Sequence, residues 1–215
     1  MVVGGEIEFR PGIPSGRYEP CCERGNVSAV ADRLLDVATR LFAQQGFENT
    51  SVAQIVGAAG VTKGALYHYY TSKDDLLHEI YARVLRHQTQ ELEEIAARPE
   101  PADDRLYAVA YDVVLTSIAN LDDTTIFQRS VHLLGPEAQE RVRLGRRRYH
   151  ERVRAIVREG QVGGAFRADV APDVAVAYFF GAVHHLGSWY RTAGPLRAED
   201  VARQFADLLL TGLRP

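Results

Sequence analysis

Lys63, Tyr67 and His68 fall on one arc of a helical turn with Gly64 between them, while Ala65, Leu66 and Tyr69 fall on the other. A cation, a phenol and an imidazole on one edge suit a polyanionic duplex. Lys63 can meet a phosphate as a point charge or donate to a guanine edge. Tyr67 and His68 can donate to phosphates, and Tyr67 can also lie against a thymine methyl. Gly64 lets the backbone come close to a groove wall. Thr62, at the start of the helix, presents a hydroxyl and free backbone N–H groups to an anion. Thr50 and Ser51 offer the same one helix earlier, and Lys73 adds charge one helix later. From Asn49 to Lys73 there is no Asp or Glu, and the chain's only two lysines, Lys63 and Lys73, both lie there. Contacts of this kind mostly position a protein on DNA, and base edges supply the specificity.

These residues need a frame, and the periodicity supplies one. Val30, Leu34, Val37, Ala38, Leu41 and Phe42 make one face of a first helix that Gly46 ends. Ser51 and Gln54 have capping-box spacing at the start of a second, which runs to the Ala59-Gly60 break. A third helix opens at Thr62 and ends near His68. Two short helices about a Gly-containing turn are a helix-turn-helix, with Ala58, Ala59 and Gly60 small enough for a close crossing. A fourth helix starts at Ser72, capped by Ser72-x-x-Asp75, and runs towards Ile95 before Pro99 and Pro101; its length suits a connector between two domains. Further helices are expected near 103–120, 123–134, 137–159, 172–192 and 198–211, nine in all. Strand signals are nearly absent. The expected fold is all-α, divided into an arm at 1–25, a helix-turn-helix domain at 26–72 and a ligand-binding and dimerisation domain at 73–215.

The stretch from about 28 to 80 resembles the TetR family of bacterial regulators. The matching elements are Ala-Thr-Arg-Leu-Phe-Ala-Gln-Gln-Gly-Phe at 38–47, Thr50-Ser51-Val52, Ala53-Gln54-Ile55, Ala58-Ala59-Gly60-Val61, the run from Thr62 to Tyr70, and Ser72-Lys73-Asp74-Asp75-Leu76. The resemblance implies nine helices, three for reading DNA and the rest for ligand and dimer. It puts Thr62, Lys63, Gly64, Tyr67 and His68 against DNA, with Ser51 and Lys73 on phosphates. It also implies a homodimer on a palindromic operator, its recognition helices roughly 34–36 Å apart or a multiple of that. A small hydrophobic effector would release it. Without the resemblance, a helical ligand-binding or adaptor protein that does not read DNA stays open as the alternative.

The helix near 172–192 is apolar nearly all round: Val174, Val176, Tyr178, Phe179, Phe180, Val183, Leu186 and Trp189. Such a helix must be covered on more than one side. A partner copy would do this, together with the last helix and its stripe of Val201, Phe205, Leu208 and Leu209. A helix central to its own domain is the alternative. Tyr107, Tyr111, Val114, Phe127, Val131, Phe180 and His184 are the candidate pocket residues, most of them expected as plain core. Adjacent His184 and His185 point about 100° apart on a helix and cannot easily share one ion, so no metal is expected. Ser188-Trp189-Tyr190-Arg191, Gly194-Pro195-Leu196 and the closing Leu-Leu-Leu-Thr-Gly resemble, over a shorter span, a branch of the family that responds to acyl-CoA thioesters. Arg146, Arg147 and Arg148, with Arg143 and Arg152, could serve a coenzyme's phosphates; a solvated helix face is the competing reading.

The bulk properties fit. A net charge of −3 on 215 residues confines any nucleic-acid surface to a local patch. The two cysteines, Cys21 and Cys22, are neighbours and leave no disulfide framework, which fits a reducing cytoplasm. Met1–Arg10 lacks a secretory pattern and no run is long enough to span a membrane, so a cytoplasmic location is expected. Five glycines and three prolines in residues 1–25 read as a disordered arm, where Arg10, Arg17 and Arg24 could brush DNA. No nucleophile elbow, His-Glu-x-x-His, Gly-rich phosphate loop or spaced Cys-His set occurs, so neither enzyme activity nor a cofactor is expected.

Overall fold

A computed structural model describes residues 29–215. The expected arm over residues 1–25, with its arginines and cysteines, lies outside the described residues. Ten α-helices and one 3-10 turn follow, with no strand among the described residues. They are α1 (Ala29–Gln45), α2 (Val52–Ala59), α3 (Lys63–Tyr69), α4 (Lys73–Ala96), α5 (Ala102–Ala119), α6 (Leu121–Ser130), the 3-10 turn Val131–Leu133, α7 (Pro136–Val162), α8 (Pro172–His184), α9 (Leu186–Trp189) and α10 (Ala198–Leu213). The nine expected helices are all present, but the eighth is parted at His185. The cause is local. Gly187 and Ser188 are weak helix formers, and the Ser188 hydroxyl donates to the His185 carbonyl at 2.7 Å, drawing it out of the helical ladder.

The hydrophobic core has two parts. The N-terminal part joins Leu34, Ala38 and Phe42 of α1, Ile55 of α2, Leu66 of α3 and Leu76, Leu77 and Ile80 of α4. It also takes in Ile126 and Phe127 of α6 and Leu134, Ala138 and Val142 around the start of α7, so this core continues well past residue 72. The C-terminal part is built from α5, α7, α8, α9 and α10 on Leu92, Ile95 and Ala96 of α4. One helix therefore feeds both cores: the first turns of α4 pack with the helix-turn-helix, and its last turns with the larger domain.

The two ends of α4 are fixed by named contacts. At its start the Ser72 hydroxyl accepts from Asp75 N at 3.0 Å, and the Asp75 carboxylate accepts from Thr71 N at 3.0 Å. At its end the buried Arg105 donates through Nη1 to the Ala96 carbonyl at 3.1 Å and through Nε to the Glu100 carbonyl at 2.9 Å, while Nη2 pairs with Glu159 of α7. A cation on the last carbonyls is the favourable sign for a helix C-terminus. No helix among the described residues is long and apolar enough to cross a membrane.

Candidate nucleic-acid interface and effector cavity

α2 and α3 form the expected helix-turn-helix. The Ser51 capping box is complete: Gln54 N donates to Ser51 Oγ at 3.2 Å and Ser51 N to Gln54 Oε1 at 2.8 Å. Gly60 ends α2 at φ 63° and ψ 36°, and its N–H returns to Gly57 O at 3.2 Å. A Cβ at Gly60 would meet nothing within 4 Å, so the left-handed turn, not close helix crossing, requires glycine here. Thr62 caps α3 by accepting from Ala65 N at 3.1 Å.

The outward edge of α3 is open. Thr62, Lys63, Gly64, Tyr67 and His68 are all exposed, and Leu66 is fully buried beneath them. The Lys63 ammonium lies 5.8 Å from the Tyr67 ring centroid, one helical turn away. The acids at the end of this stretch are occupied inside the fold: Asp75 holds Thr71, and Asp74 accepts from Gly135 N at 3.3 Å. Gly64 has no internal reason to be glycine. A Cβ there would meet only the Thr62 hydroxyl, at 3.8 Å, and the backbone is not left-handed.

Some residues sit differently from the sequence reading. Thr50 is 1% exposed, donates to Gly46 O at 2.7 Å and accepts from Gln45 Nε2 at 3.1 Å, so it braces the α1–α2 loop and presents no hydroxyl outward. Ser51 is exposed, but its hydroxyl is already engaged in the cap. Lys73 donates to the Phe47 carbonyl at 2.8 Å and lies 4.3 Å from the Phe47 ring centroid; it ties α4 to the α1–α2 loop. Tyr69, expected on the apolar arc, is 37% exposed and packs edge-on against His68. Tyr70 takes the inward place: its hydroxyl donates to the Ala31 carbonyl at 3.2 Å, and burial pushes its phenol up to about 12.

In the larger domain a cavity of about 40 Å³ lies between α4, α5, α6, α7 and α8. Tyr81, Val84, Leu85 and Gln88 line it from α4, and Val113 and Ser117 from α5. Thr124 and Gln128 of α6, Arg146, Tyr149 and His150 of α7, and Phe180, Val183 and His184 of α8 complete it. Arg146 turns inward: Nε donates to the Tyr81 hydroxyl at 2.7 Å, and the guanidinium lies 5.0 Å from the Tyr81 ring and 5.4 Å from Phe127. Tyr81 stacks on Phe127 at 3.9 Å, so the three form a pile. His150 stacks on Phe180 at 4.2 Å. Burial lowers His150 and His184 to about 4, with Arg154 and Arg146 adding to the effect on the first and Arg146 and both neighbouring histidines on the second. Both are neutral imidazoles at neutral pH.

Of the pocket residues expected from sequence, Phe180 and His184 line this cavity. Phe127 lies one ring behind its wall. Val114 is fully buried in the core of the larger domain, whereas its neighbour Val113 faces the space. Tyr107 and Tyr111 face α10 instead: burial raises both phenols, assisted by Asp207 for the first and Glu199 for the second. Val131, in the 3-10 turn, packs against the N-terminal core. Among the arginines of α7, Arg143 pairs with Glu140 and Arg152 with Glu93, while Arg147 and Arg148 are exposed. Only Arg146 of that run reaches the cavity, and it was legible: Val142, Arg146, Tyr149, Val153 and Ile156 share one helical stripe.

Comparison with known proteins defines the class. Residues 34–80 match the model of the bacterial regulatory proteins of the TetR family, and residues 99–213 that of the Tetracyclin repressor-like C-terminal domain. The chain belongs to the TetR family of transcriptional regulators. Among curated relatives, the transcriptional repressor KstR2 of Rhodococcus jostii is 29% identical over 199 residues, covering 90% of this chain and 96% of its own. The TetR-family regulator PfmR of Thermus thermophilus superposes with a TM-score of 0.77 at 32% identity, covering 86% of this chain and 100% of its own. AibR, crystallised with isovaleryl coenzyme A and operator DNA, superposes with a TM-score of 0.72 at 23% identity over 86% of this chain and 98% of its own.

Proposed function

We propose that the protein is a homodimeric, cytoplasmic repressor that binds a palindromic operator through α3 and leaves it when an acyl-CoA thioester occupies the α4–α8 cavity. The observation that carries the DNA half is the exposed edge of Thr62, Lys63, Gly64, Tyr67 and His68, free of carboxylates and containing a glycine that the fold itself does not need. Thr50, Ser51 and Lys73 serve that edge by fixing the loop and helix starts around it.

The effector half rests on size and connection. A cavity of about 40 Å³ is far below the roughly 300–1,000 Å³ of a small-molecule site, so a ligand enters only by parting the helices. α4 lines the cavity with Tyr81, Val84, Leu85 and Gln88 and packs into the N-terminal core with Leu76, Leu77 and Ile80. Parting the helices therefore moves the reading head, and a ligand that prefers the parted form lowers DNA affinity by linkage. Phe180 and His184, which line the cavity, are the sequence candidates for touching it. The coenzyme thioester is supported by the Ser188–Leu196 resemblance and by the ligand of the fold neighbour AibR. The dimer is supported by the outer face of α8, where Val174 and Tyr178 are 62% and 69% exposed, and by Leu208 of α10 at 67%.

Selection of the full-length protein against random duplexes at low salt tests the reading. The expected product is an inverted repeat whose half-sites are one or two helical turns apart, released by acyl-CoA thioesters in a gel shift. Recovery of unrelated sequences with no repeat removes the DNA reading; retention of the complex with every thioester removes the effector class.

A further inference from the structure

Among the described residues, Arg146 is the half-buried arginine of α7 with no acid beside it; Arg141, Arg147 and Arg148 also lack one, but they are exposed. Arg143, Arg152, Arg154 and Arg158 each have a carboxylate within ion-pair distance, but among the described residues Arg146 has none; its contacts are the Tyr81 hydroxyl and the faces of two rings. The charges acting on the two cavity histidines, from α7 and α8 alike, are Arg146, Arg154 and the histidines themselves, with no acid among them. The helices come close at this point: a Cβ at Gly145 would meet Leu85 Cδ2 at 2.9 Å, and that approach brings the guanidinium over α4.

A half-buried cation with no counter-ion, beside amides and hydroxyls, needs an anion. Gln88, Gln128, Ser117 and Thr124 line the same cavity as hydrogen-bonding groups, and Val84, Val113, Val183 and Phe180 supply apolar wall. A planar guanidinium with two edges suits a carboxylate held by paired hydrogen bonds. We propose that the effector carries a carboxylate at the far end of its apolar body, and that Arg146 receives it with Gln88 and Gln128 alongside. The anchored group draws the guanidinium off the Tyr81–Phe127 stack. This inference rests on the ligand-released reading above and refines its ligand: an ω-carboxylated acyl chain, not a plain one.

Calorimetric titration of the full-length protein with suberoyl-CoA and octanoyl-CoA, and separately with suberamate and octanamide, which differ only in the terminal carboxylate, tests it without DNA. The ω-carboxylated member of a pair should bind about tenfold more tightly or better, as for a charge-assisted pair in a partly dry site. Arg146→Met should bring the pair to parity, Arg146→Lys should keep part of the preference, and Arg147→Met, on the exposed face, should keep all of it. Melting curves establish that each variant is folded, and the lysine variant serves if the methionine variant is not. Parity within both wild-type pairs, or an undiminished preference in the folded Arg146 variant, overturns the proposal. A preference seen with the amide pair alone supports Arg146 as the anchor and removes the coenzyme thioester.

Discussion

At the scale of single residues, Gly64 separates fold from function. Glycine at an exposed helical position costs stability, and here no neighbour restricts a methyl group. Gly64→Ala should therefore raise stability by about 0.4–1 kcal/mol in chemical denaturation while weakening operator binding, because the methyl group keeps the backbone off the groove. A variant that is stabilised and binds unchanged would take Gly64 out of the interface. Lys63→Ala should lower affinity and reduce the slope of log K against log salt by about 1, the release of one phosphate counterion. An unaltered slope would mean that Lys63 meets no phosphate. The exposed edge of α3 was legible because side-chain type and helical phase are both local properties. The carbonyl partners of Thr50 and Lys73 were not legible, because a hydroxyl or an ammonium in sequence carries no sign of whether a carbonyl already holds it. Tyr69 was misjudged, and the inward turn of Tyr70 was not foreseen, because α3 ends between them and one residue of phase decides which ring turns inward.

Helices were the easiest level to read, since a 3.6-residue period extends over several turns of the longer ones. What the period did not show is where one element yields to a hydrogen bond, as at His185, or which cavity a stripe faces. Tyr107 and Tyr111 share a face, but only the packing of α10 over α5 shows that the face is covered by another helix. The ion pairs that join elements were equally silent in sequence. Arg83 of α4 donates to Asp36 of α1 at 3.1 Å and to the buried Asp123 of α6 at 2.9 Å, so one guanidinium links the reading head, the connector and the cavity wall. Burial raises the Asp123 carboxyl and Arg83 opposes this. Arg83→Ala should destabilise the protein by about 1–3 kcal/mol, because it strands a buried carboxylate; adding Asp123→Asn should restore part of the loss. Additive losses in the double variant would show that the two groups act independently.

The whole molecule adds two properties that belong to no single helix. Covering Val174, Tyr178 and Leu208 with a second copy would put two reading heads on one duplex. Glutamate at Tyr178 and Leu208 together should give a monomer in sedimentation and cost about a hundredfold or more in operator affinity, the loss of the tethered second half-site. A monomer that binds with full affinity would contradict the paired reading. The second property is pH response. His150 and His184 titrate near 4 in the folded chain, and an unfolded imidazole near 6.5. Between those values the unfolded chain holds more protons, so stability is complete above the window and falls as pH drops through it. The melting temperature should decline from about pH 7 to about pH 5, and His150→Gln with His184→Gln should flatten that decline. An equal slope in the variant would assign the decline to other groups.

The Tyr81–Phe127 stack has a genetic consequence. Phe127 helps to build the platform under α1, and its partner ring touches the guanidinium proposed to choose the inducer. On the proposed reading, taste and silencing are written in the same few side chains. Mutants isolated for a new inducer at Tyr81, Phe127 or Arg146 should also leak when no inducer is present, whereas mutants at Val183 or Phe180 should change their taste and stay tightly shut.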